Sequence, residues 1–207
     1  MNQPDCDGAV AYARSRMEQE LAPEMRYHGL RHTFDLVLPA AMRMAKLYDL
    51  DQPDIDLLKV AAAFHDIGWI VEGNEHEMQG VLIAREILPS FDFQHDRIDR
   101  VAGFIMATRT PQSPKNLLEK IMADADLDIL GREDFWERNQ DLRTERSLNG
   151  HRMSDEEWYL SQLKFLEAHS YFTDAAKQLR DEDKQTHIEE IKQRLEQSRE
   201  ASSPQYE

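Results

Sequence analysis

The stretch VAAAFHDIGWI, Val60 to Ile70, sets His65 beside Asp66 in an otherwise apolar run. A charge inside a protein is costly unless it is paired or coordinated. Three further stretches carry groups of the same kind. RYHGLRHT holds His28 and His32, four residues apart and so on one face of a helix. EHEMQG holds His76 between Glu75 and Glu77, and IMADADLDILG holds Asp124, Asp126 and Asp128 on an apolar background. Taken singly, each has a structural explanation: a satisfied histidine at a helix start, a buried ion pair, or a calcium loop for the alternating aspartates. The calcium loop fails, because its glycine and its distal glutamate are missing. Taken together, the groups need something shared to neutralise. A divalent cation held by imidazoles and carboxylates meets that need, and a thiolate-free ligand set suits Mn²⁺, Fe²⁺, Mg²⁺, Zn²⁺, Co²⁺ or Ni²⁺ without choosing among them.

The elements that must position these groups are helical. Apolar residues recur at helical spacing over 8–21, 32–50, 54–67, 75–88, 95–108, 114–130, 134–148, 154–170 and 172–197, with no alternating strand pattern. The fold class expected is all-α. Gly68, Pro89 and Gly131 are read as helix stops, and VEGNE at 71–75 as a loop. Ser113 with Pro114 reads as an N-cap followed by the first helical position, and Ser154 with Glu157 as a capping box. Ile188, Ile191 and Leu195 form a narrow stripe on the charge-rich last helix, which packs by that seam or offers a dimer contact. ASSPQYE reads as a frayed tail. Phe135, Trp136, Trp158, Phe165, Tyr171 and Phe172 read as core before they read as a pocket lining.

Composition narrows the partners. With 40 acidic against 25 basic residues in 207, the formal charge is −15, and no lysine or arginine run offers nucleic acid a patch. No apolar stretch approaches the length of a membrane span, and MNQPDCDGAV lacks the basic and apolar regions of a signal peptide, so a cytoplasmic chain is expected. The single Cys6 rules out an internal disulfide framework and multi-cysteine zinc sites.

His32, then the adjacent His65 and Asp66, then an aspartate of ADADLD, in YHGLRHT and AAAFHDIGW contexts, resemble the HD superfamily of metal-dependent phosphohydrolases. The resemblance covers about residues 26 to 131. It implies an HD-type helical core at 26–131, preceded by a packing helix within 1–25 and followed by a helical extension over 132–198 and a tail at 199–207. It also implies that His32, His65, Asp66 and one aspartate are metal ligands. The family layout favours Asp126 over Asp124, leaving Asp124 to position water. One metal is expected, because GFIMATRT has threonine and arginine where members with two metals carry a histidine. His95 reads as a surface residue. Asp66, Asp124, His76 and Glu77 are the candidate catalytic groups; Arg26, Arg31, Arg109 and Lys115 are the candidate phosphate contacts. The implied activity is hydrolysis of a phosphate ester or anhydride of a small metabolite, with a nucleotide as the expected type. Competing readings are a ligand-sensing module without turnover and a two-iron oxygenase, which needs the fuller histidine set.

Overall fold

A computed structural model describes residues 3–71 and 75–202, the side chain of Ser202 excepted. The chain divides into two compact units, Met1–Asp128 and Ile129–Glu207. Among the described residues the α-helices are α1 (Cys6–Glu20), α2 (Leu38–Leu47), α3 (Gln52–Phe64), α4 (His76–Ile87), α5 (His95–Met106), α6 (Leu117–Asp126), α7 (Phe135–Leu148), α8 (Asp155–Ala168) and α9 (Asp174–Ser202), with no strand. No helix among them is long and apolar enough to cross a membrane.

Helix α3 is the axis of the first unit, packing against α1, α2, α4, α5 and α6. Its sequence explains this. Leu57, Leu58 and Val60 through Phe64 are all buried, so the helix is apolar around its circumference, and the three consecutive alanines let neighbours approach closely. The helices around it are one-sided: α5 buries Ile98, Val101, Ala102, Phe104 and Ile105 and turns Asp96, Asp99 and Arg100 outward. In the second unit α8 packs on α9, and the seam Ile188, Ile191 and Leu195 is buried there. Phe135, Trp158 and Tyr171 are core, Trp136 and Phe172 are half-buried, and Phe165 is exposed. Trp158 also anchors a buried relay: its Nε1–H donates to Asn139 Oδ1, and Asn139 Nδ2 donates to Gln162 Oε1.

Several boundaries differ from the sequence reading. The residues around His32 do not continue α2: Arg31–Val37 is a π-helix in which the Leu38 N–H bonds back to Thr33 O. Helix α3 ends at Phe64 rather than running to Gly68, which lies in a short 3₁₀ turn, Ile67–Ile70. Pro89 likewise falls within a 3₁₀ turn that follows α4. The capping box at Ser154 forms. The cap expected at Ser113 does not: α6 opens at Leu117, with Asn116 as its N-cap. Asn116 Oδ1 accepts from the Glu119 N–H at 3.0 Å while Asn116 Nδ2 donates to Glu119 Oε1 at 2.8 Å, a reciprocal pair that Ser113 is too far along the chain to make. Asn116→Ala should therefore cost about 1 kcal/mol in urea unfolding, and Ser113→Ala next to nothing; equal effects would place the helix start elsewhere. Part of the VEGNE loop (72–74) and most of the tail (203–207) lie outside the described residues; α9 itself runs to Ser202.

Candidate metal centre

Four elements of the first unit converge on one point. The end of α3 delivers His65, and the chain then leaves the helix at Asp66, whose backbone (φ −104°, ψ 0°) lies in the sparsely occupied bridge region common at active sites. The π-helix delivers His32, its wider turn being a device often found at functional sites. The last residue of α6 is Asp126, and the first two of α4 are His76 and Glu77.

His32 Nε2 lies 3.1 Å from Asp126 Oδ1 and 3.6 Å from Asp66 Oδ2; His65 Nε2 lies 3.3 Å from Asp66 Oδ2 and 3.5 Å from Asp126 Oδ1. His32, His65 and Asp66 are buried, and Asp126 is half-buried. Despite this closeness, His65 Nε2 and Asp66 Oδ2 make no hydrogen bond, so their lone pairs are not aimed at each other. Ligands about 2.0–2.2 Å from a common ion stand roughly 3.0–3.5 Å apart in octahedral or tetrahedral arrangements, which matches these separations. His65 Nδ1 is 2.8 Å from the Ala62 carbonyl, where Nδ1–H donates and leaves Nε2 for ligation. Two neutral imidazoles and two carboxylates also balance the charge of a divalent ion. The donor set fits such a cation.

The electrostatics point the same way. Burial opposes charge on His65, but Asp66 and Asp126 outweigh it and hold its pKa well above the ordinary value. Burial would raise Asp66, but the neighbouring His65, His28 and His32 pull it well below the usual carboxylate range. Asp126 is lowered by its hydrogen bond with His32 and by the neighbouring His65, which together overcome its burial. His32 goes the other way, its burial outweighing both aspartates.

Beside the donors stands a wall of rings. Trp69, on the 3₁₀ turn after Asp66, stacks on His76 (centroids 4.3 Å apart, planes at 17°) and lies 4.9 Å from His28. Tyr27 flanks His32 at 4.8 Å. His76 Nε2 is 3.5 Å from both Asp66 Oδ1 and Glu77 Oε1, and its burial depresses its pKa, leaving it neutral near pH 7. The ring wall escaped the sequence reading; the available signal was Trp69, three residues after Asp66 and set beside Gly68.

The remaining candidates are dispersed. Asp124 is fully buried in α6, and two helical residues point about 200° apart, so it cannot share a face with Asp126. Asp128 pairs with Arg43 of α2. Arg109 is spent on the Glu75 carboxylate at 2.5 Å, tying the end of α5 to the start of α4. Arg26 and Lys115 are exposed, as is Arg31 beside His32. His95 is exposed at the start of α5.

The HD domain family model matches residues 30–128, which span the π-helix, the His65–Asp66 pair and Asp126. This segment is an HD domain. HD domains bind divalent metals, and His32, His65 and Asp66 form a buried group here that could hold one. The HD fold extends to solved structures. A predicted HD superfamily hydrolase from an uncultured Thermotogales bacterium is 23% identical, with 93% of this chain and 91% of that chain covered and a TM-score of 0.60. Bacillus subtilis YpgQ, solved in complex with ADP, is 20% identical, with 91% and 92% covered and a TM-score of 0.64. None of the curated proteins compared matches the chain.

Proposed function

We propose that this HD protein is a metal-dependent phosphohydrolase that cleaves a phosphate ester or anhydride of a small metabolite, with a nucleotide as substrate type. One observation carries the reading: His32, His65, Asp66 and Asp126 bring their ligand atoms within 3.1–3.6 Å of one another inside an HD domain, and those of His65 and Asp66 have no hydrogen-bond partner. These four residues would hold one divalent ion. Bound there, such an ion brings the pKa of a coordinated water toward neutrality and offsets charge on phosphoryl oxygens. Asp66 divides its labour: Oδ2 joins the donor cluster while Oδ1 faces His76 Nε2. His76, whose pKa burial depresses, would take the proton of the attacking water at Nε2, which stands 3.5 Å from Asp66 Oδ1 and from Glu77 Oε1. Trp69 fixes the plane of that imidazole by stacking, and the half-buried rings of His28 and Trp69 offer apolar surface to a base or sugar. The ADP bound to YpgQ supports a nucleotide.

Metal analysis of the purified protein, beside phosphate release from a nucleotide panel with each divalent ion added in turn, tests this. One equivalent of metal with metal-dependent release is expected. Bound metal without turnover on any phosphate ester would favour a sensor, and two equivalents of iron would favour the oxygenase reading. His76→Ala should lower kcat roughly 100-fold or more while leaving metal content unchanged; an unaltered kcat would remove His76 from the proton path.

A further inference from the structure

The second unit contains a cleft of about 400 Å³ formed by the end of α7, the turn after it and the start of α8. Arg143, Arg152, His151, Gln140 and Ser147 line it, with Trp158 at its buried floor, and no carboxylate is among the lining residues. That is unusual for this chain, in which acidic residues outnumber basic ones by 40 to 25. Two clefts of the first unit show the general rule, one bounded by Asp56, Asp92 and Asp96, the other by Asp54, Asp99 and Glu119.

The cations here are held together. Arg143 and Arg146 lie over the same Trp158 ring, at 5.9 Å and 5.7 Å from its centroid, within cation–π range. Arg143 is fixed further by bonds from Nη2 to Met153 O at 3.1 Å and Asp155 Oδ1 at 2.6 Å. Among the described residues neither Arg146 nor Arg152 has an ion pair. Asp155 neutralises Arg143, but Arg146 over the same indole and Arg152 in the cleft lining have no such carboxylate, and an anion would offset their charge. Planar guanidinium donors favour phosphate oxygens, and the cleft is of the size that holds a small ligand.

We propose that this cleft is an anion site for the phosphate group of a small molecule, built from residues of the C-terminal unit and independent of the metal centre. The buried ring of Trp158 leaves no face for a nucleobase, so recognition rests on the phosphate end.

The test is calorimetric titration of the full-length protein, stripped of metal by chelation, with inorganic phosphate, pyrophosphate and ADP. Binding is expected, weakened roughly tenfold or more in Arg152→Ala and in Arg146→Ala, partly restored in Arg152→Lys, and unchanged in Asp66→Asn. Both arginines are exposed, and a circular dichroism spectrum matching wild type shows that the variants fold. Binding of phosphate or pyrophosphate alone identifies a free anion as ligand; binding of ADP alone identifies a phosphorylated metabolite. Failure of all three to bind, or binding lost in Asp66→Asn but not in the arginine variants, overturns the proposal.

Discussion

Asp66→Asn is expected to abolish both metal retention and turnover while leaving the helical circular dichroism signal in place. Asp66 Oδ2 stands 3.3 Å from His65 Nε2 and 3.6 Å from His32 Nε2, and Oδ1 faces His76. The amide keeps the shape and removes the negative charge that offsets the cation, so affinity falls by far more than the 10–100-fold typical of lost supporting contacts. Phosphate release should fall to background. A second readout separates loss of metal from loss of chemistry. Saturating metal at a hundred times its Kd stabilises a folded protein by about 2.7 kcal/mol, which in a chain of this size raises Tm by roughly 5–10 °C. The wild-type protein should show that rise and Asp66→Asn should not. A variant that still binds metal and still turns over would mean that the cluster is a structural ion pair.

Gly68→Ala should damage both stability and catalysis while sparing the metal. A Cβ at Gly68 would lie 1.9 Å from the His76 carbonyl oxygen and 2.8 Å from the Gly80 nitrogen. Both are backbone atoms, so neither can rotate aside, and the start of α4 must move by more than 1 Å. Overpacking of this kind costs about 1–3 kcal/mol and sometimes more. The proposed ligands His65 and Asp66 precede the substitution, whereas Trp69 and His76 follow it, so metal content should hold. Misplacing a catalytic group by about 1 Å costs on the order of 100-fold in rate. Unfolding by urea and kcat with metal content measured beside it check both halves. A variant with wild-type stability and rate would show that α4 is free to shift and that His76 has no exacting position.

Much of this was legible along the chain. The unbroken 3.6-residue period dictated helices, because each had to bury one face. The capping box at Ser154 could be read because its partners are three residues apart and interact through local geometry alone. His65 and Asp66 announced a site because two polar groups in an apolar run must find a counterpart, wherever the chain goes. What remained hidden depended on residues far apart in sequence. His32 and Asp126 meet across 94 positions, and α6 presents Asp126 rather than Asp124 to the imidazoles because of how that helix is rotated against α2 and α3, which no spacing within ADADLD encodes. Arg109 offered a free cation on paper and is held by Glu75 in space. Trp69 became the wall of the site only because Gly68 lets α4 approach closely enough to stack His76 upon it. The sequence by itself determined the helices and the presence of a metal-ready pair. Packing decided which other side chains complete it, because convergence is a property of how helices cross, not of the order in which they are written.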